Sequence, residues 1–158
     1  MKRGITWKPI GPAALDRLPV GFRFRGIPVK ADMLWNVIAE ARGFWPFKHI
    51  AVGARFFDLS WSEQQAVLLH ELKHIKAWHM EIRALCVPLC WTEAVRFMCQ
   101  RQEYAADEFA ASQGFGQGMA IFLMRCGKPP TRYYPDPQLR IAALRLYLEG
   151  EANGRVAA

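Results

Sequence analysis

Residues 60–80, SWSEQQAVLLHELKHIKAWHM, constrain this chain more than any other segment. Ser60 and Glu63 form an S-x-x-E capping box, which satisfies two orphan amides and starts a helix at about Trp61. No glycine or proline interrupts the run through Met80, so the pattern predicts one helix to that point and beyond. Val67, Leu68, Leu69, Leu72, Ile75 and Trp78 flank the central HELKH, so the helix is expected to be largely buried. Histidines in such a place need partners, because a buried polar group without one is costly.

Residues i and i+4 of a helix differ by about 40° in direction and one turn in height. His70 and His74 therefore point the same way, and two imidazoles so placed suit Zn²⁺. Glu71 lies about 100° round from His70 and about 60° from His74, where its carboxylate can take a proton from a metal-activated water. The competing reading is an exposed helix on which these residues meet by coincidence. A catalytic zinc takes three protein ligands, so a third must come from elsewhere. His79 is about 140° from His74 and is excluded while the helix continues. His49 is a candidate, and the carboxylates of RQEYAADEFAAS (101–112) are better ones. There Glu103 and Asp107 are one turn apart, and Ala106 and Ala110 are small enough for a second helix to approach closely. Glu103 could ligate the metal while Asp107 accepts a hydrogen bond from a ligand histidine. A solvated acidic face beside Arg101 explains the same spacing.

VLLHELKHIKAWH followed by QEYAADEFAA resembles the gluzincin metallopeptidases, nearest the heat-shock membrane protease and CAAX prenyl endopeptidase family and the short soluble minigluzincins. YYPDPQLRIAAL resembles that family's closing motif, and the likeness spans roughly residues 48–146. It implies zinc held by His70, His74 and Glu103, Glu71 as general base and Asp107 behind a ligand histidine. It also implies a zincin-like α+β fold, with an active-site helix, a glutamate helix and a small sheet whose edge strand pairs with an extended substrate. KHIAVGARFF stands where that strand would be. Two departures stand out. Family members of this type usually carry membrane helices around the catalytic part, and none is expected in this chain. The family's closing histidine is replaced by Tyr134, or by Tyr133 in a shifted register, and a phenol can donate a hydrogen bond to an oxyanion. Both tyrosines could instead pack under the proline-rich loop. Arg140 either anchors this segment on Asp107 or Glu103 or is a surface arginine.

Composition narrows the alternatives. With 158 residues, 52% hydrophobic and 22% charged, the chain suits one globular domain with a real core. The net charge of +7 is concentrated at the start: residues 1–30 alone hold +6. That basic segment reads as an N-terminal arm, either solvated or laid across the cleft to keep it latent. Without a nucleic-acid-binding signature, nucleic acid is not an expected partner. Neither an export signal nor a membrane span is expected; ALCVPLCW is too short and contains Pro88. Cys86, Cys90, Cys99 and Cys126 form no C-x-x-C pair and read as free thiols of a cytoplasmic protein.

The remaining segments complete a mainly helical domain over 31–150, between the 1–30 arm and a frayed 151–158 tail. A short strand is expected around Phe22–Arg25. ADMLWNVIAEARG (31–43) reads as a helix with a stripe of Met33, Leu34, Val37, Ile38 and Ala41, ended by Gly43. KHIAVGARFFD (48–58) reads as one bulged strand or two short ones. Thr92 caps a helix that stops at Gly114, a short helix follows over 116–125, and Asp136 caps a last one from Pro137 to about Glu149. The function this predicts is a soluble zinc endopeptidase acting on a peptide or protein. The alternative is a zinc-bearing regulatory or interaction module with little or latent turnover.

Overall fold

The structure is a computed structural model that describes Leu18, residues 21–32 and residues 37–156, with side chains described through residue 153. Four strands form one mixed sheet: β1 (Arg23–Phe24), β2 (Ile27–Ala31), β3 (Ala39–Arg42) and β4 (His49–Val52). Their order is β1-β2-β4-β3. β2 runs parallel to β4, and β3 pairs antiparallel with it, Ala41 opposite Ile50. Five helices follow: α1 (Trp61–Lys76), α2 (His79–Leu85), α3 (Glu93–Ala110), α4 (Gly116–Cys126) and α5 (Pro137–Val156). The α+β expectation holds.

α1 is the axis of the domain. It packs on α3 and α4 and against the sheet through β3 and β4. The core forms between them: Ile50, Val52, Ala66, Leu69, Leu72 and Leu144 are almost wholly buried. The predicted start of α1 is observed. Glu63 N–H donates to Ser60 Oγ at 3.3 Å, and Ser60 N–H donates to Glu63 Oε2 at 2.8 Å. Thr92 caps α3 by accepting from Val95 N–H, and Asp136 accepts from Gln138 N–H at 2.7 Å at the start of α5. α4 abuts the first turn of α1 so closely that a Cβ at Gly118 would lie 2.5 Å from the Ser62 carbonyl oxygen.

Four expectations are corrected. The helix expected over 31–43 is absent from its described part: Ala31 ends β2 and residues 39–42 are β3. Residues 33–36, with Met33 and Leu34, lie outside the described residues. Gly43 does end the element, at φ 81°, but the element is a strand. Of KHIAVGARFFD only His49–Val52 is strand, and Ala54–Asp58 winds into a 3-10 turn. The helix expected to pass Met80 stops at Lys76. Trp78 adopts a left-handed φ of 58° and α2 starts afresh at His79. At the far end, α5 continues through Val156 instead of ending near Glu149, while the short strand expected around Phe22–Arg25 is observed as β1, paired with β2. Apart from Leu18 and residues 21–30, the expected arm lies outside the described residues.

The break after α1 has a physical cause at a distance. Lys48 Nζ donates to the Ile75 carbonyl at 3.2 Å, sits 3.8 Å from the Trp78 ring centre and pairs with Glu81 at 2.6 Å. A cation on the last carbonyls favours a helix end there. It also offsets the roughly 1–2 kcal/mol that left-handed backbone costs a non-glycine residue.

Candidate metal centre

α1 and α3 bring three potential ligands together. Ala106 and Ala110, both fully buried, let the helices approach as their size predicts. His70, His74 and Glu103 are buried, and their ligand atoms all lie within 4.8 Å of one another. His70 Nε2 lies 3.1 Å from His74 Nε2 and 3.4 Å from Glu103 Oε2. Glu103 Oε1 lies 3.5 Å from His74 Nε2. Bonds of about 2.0–2.1 Å to a tetrahedral ion separate its ligand atoms by about 3.3 Å. The separations are close to that spacing, with one Glu103 oxygen facing each histidine, so the group could hold a metal ion of that size. His49 is not part of the group; its ring contacts the Phe47 carbonyl instead. The free cysteines do not join it either.

The outward nitrogens are held as well. His70 Nδ1 meets Asp107 Oδ1 at 2.8 Å. Arg140 Nε and Nη2 donate to the two Asp107 oxygens, both at 2.7 Å. The choice left open for Arg140 is thus resolved: it is buried, forks onto Asp107, and has Nη1 3.5 Å from Glu103. Such outer partners fix the tautomer and orientation of a ligand histidine.

Two members of the network were not foreseen. The turn at Trp78 reverses the direction in which His79 was expected to point. His79 Nδ1 now lies 2.8 Å from His74 Nδ1. When His74 offers Nε2 as a ligand, its Nδ1–H donates to His79. Arg83, on α2, donates to Glu103 Oε1 at 2.9 Å and to Gln102 Oε1 at 2.6 Å. Both residues follow the helix break, so no local signal pointed to them.

The charges follow from this wiring. Burial opposes the His70 imidazolium, but Asp107 and Glu103 outweigh it and raise its pKa to about 9. Burial, reinforced by the charge on His70, holds His74 well below its ordinary value. Burial alone would raise the Glu103 carboxyl; His70, His74 and Arg140 keep it ionised far below the usual range. Burial raises Glu71 to about 7, against the pull of His70 and of its hydrogen bond from Ala41.

The group opens into a cavity of about 620 Å³ lined by α1, by β3 and by the segment after α4. Glu71 lines it and accepts from Ala41 N–H of β3 at 2.7 Å. Because β3 is the outer strand, that amide is on the side away from β4. The sheet edge at the cavity is thus Ala39–Arg42, not the 48–57 segment, whose strand β4 is interior. Tyr134 lines the cavity, while the Tyr133 hydroxyl donates to the Cys90 carbonyl at 2.8 Å and is committed to packing. The two tyrosines are therefore separated in role by geometry.

No helix among the described residues is long and apolar enough to cross a membrane. Comparison with protein-family profiles, with curated proteins and with solved structures finds no match to this chain.

Proposed function

We propose that the chain is a zinc-dependent endopeptidase of the gluzincin type. The observation that carries the reading is a single cavity holding a convergent His-His-Glu set, an adjacent carboxylate poised near neutrality and an outer β-strand. Two histidines with a glutamate are a donor set that favours zinc. A bound zinc ion would supply Lewis acidity toward a scissile carbonyl and toward water.

The chain's own residues do the rest. The edge of β3 pairs with an extended peptide and aligns it over α1. Glu71, with a carboxyl near 7, takes a proton from the attacking water and passes it to the leaving amine. Tyr134 donates a hydrogen bond toward the developing oxyanion. Asp107 and Arg140 hold His70 in its working tautomer. The substrate in this reading is a peptide or protein, and four free cysteines accord with a reducing compartment such as the cytoplasm.

The test is Glu71→Gln, assayed for metal content and for hydrolysis of unstructured peptides. Metal should remain at about one ion per chain, while hydrolysis should fall by about 10²–10⁴-fold. Hydrolysis at the wild-type rate would overturn the proposal.

A further inference from the structure

The cavity wall also carries positive charge outside the His-His-Glu group, and Lys128 is close enough to Glu71 to pull its carboxyl down against burial. Arg55, in the 3-10 turn before α1, and Lys128, just after α4, are exposed and line the cavity. Neither has a carboxylate within ion-pair distance among the described residues. Arg125, on the last turn of α4, holds Glu63 through Nη1 alone, at 2.9 and 3.1 Å, which leaves its other nitrogens uncommitted. The acids lining the same cavity are all engaged: Glu40 with Arg42, Glu71 with the Ala41 amide, Glu103 with Arg83. Positive charge in a cavity with low-dielectric walls is focused and draws anions.

Distances along α1 set where such an anion would lie. Arg125 is anchored on Glu63, seven residues before His70, which is about 10 Å along the helix. An extended peptide advances about 3.3 Å per residue, so the same span covers about three residues. Lys128 lines the same cavity, with its Nζ 5.0 Å from the Tyr134 ring centre.

We infer that the cleft selects a peptide bearing a carboxylate about three residues from the bond at the metal group, received by Arg55, Arg125 and Lys128. The carboxylate belongs either to an Asp or Glu side chain or to the end of the peptide chain. The inference takes its substrate class from the peptidase reading and its charge preference from the cleft alone.

The experiment uses the full chain carrying Glu71→Gln, with zinc added, and fluorescent peptides that differ only in Asp, Asn or Lys at one position. Fluorescence polarisation should show the Asp peptide binding roughly three- to tenfold more tightly than the Asn peptide, and the Lys peptide more weakly than both. The preference should shrink in high salt and vanish when Arg55→Gln and Lys128→Gln are added. Arg125 is left in place because it neutralises the buried Glu63. A preference that survives amidation of the peptide end assigns the carboxylate to a side chain; one that needs the free end assigns it there. Equal binding of the three peptides, binding of none, or a preference untouched by the double substitution would overturn the inference. Wild-type cleavage with no charge preference would sink this inference and leave the peptidase reading standing. Asp-selective binding without wild-type cleavage would do the reverse.

Discussion

Along the α1–α3 wall of the cleft, the chemistry is carried by side chains, each matched to a named partner. Along the β3 wall it is carried by the backbone, and Ala39 and Ala41 contribute almost nothing but their amides and carbonyls. The first wall places charge. The second places an extended edge beside it. The comparison teaches that a candidate metal group and an outer strand edge can be assembled under different constraints. The first tolerates few side-chain changes, and the second few changes that disturb its hydrogen bonding.

Four substitutions test that division, from the largest effect to the smallest. His74→Ala removes a ligand and should abolish stoichiometric metal binding, read by elemental analysis after zinc loading and desalting. Asp107→Ala takes the forked partner from buried Arg140 and leaves it only the 3.5 Å contact to Glu103, so urea unfolding should show a loss of about 3 kcal/mol. The same variant should bind zinc about 10–100-fold more weakly if it folds. His79→Gln keeps a polar group beside His74 but loses the ring, and competition with a chelator should show a loss near the lower end of that range, about tenfold. Ala41→Pro tests the other wall. Proline is tolerated on an outer strand where the amide points away from the sheet, so metal affinity should stay within about twofold. Peptide cleavage should drop by about tenfold, the value of the one hydrogen bond that the Ala41 amide gives to Glu71. Should Ala41→Pro lose metal, the two walls are not separable and the comparison fails.

The same division explains what could be read from the sequence. The start of α1, the caps at Thr92 and Asp136 and the shared direction of His70 and His74 rest on local codes, whereas Glu103 joins them only through the packing of α3 on α1. A capping box spans four residues, and the i, i+4 rule needs only a helix. β3 had no such code. Its Ala-Glu-Ala-Arg sequence lacks the β-branched and aromatic residues that favour strands. Burial of Ile38 and Ala41 by the pairing with β4 mimicked the spacing of a helix stripe. The end of α1 was hidden for a related reason. No glycine or proline marks it, and the cap is Lys48, supplied from outside the helix. A helix continued past Lys76 would point His79 about 140° away from His74. The distinction between Tyr133 and Tyr134 likewise needed the position of the Cys90 carbonyl.

The close contact of Gly118 with Ser62 turns α1 into a measuring rod. One end of the helix is pinned against α4 at Ser62, and the candidate metal ligands begin eight residues on, at about 12 Å. A single inserted residue between those points would advance the ligands by about 1.5 Å and swing them about 100° away from Glu103. A deletion would swing them as far in the opposite sense. Point substitutions along that stretch alter packing by degrees, whereas a change of length dismantles the group at once. The segment from Ser62 to His70 is therefore fixed in its count of residues more strictly than in their identity.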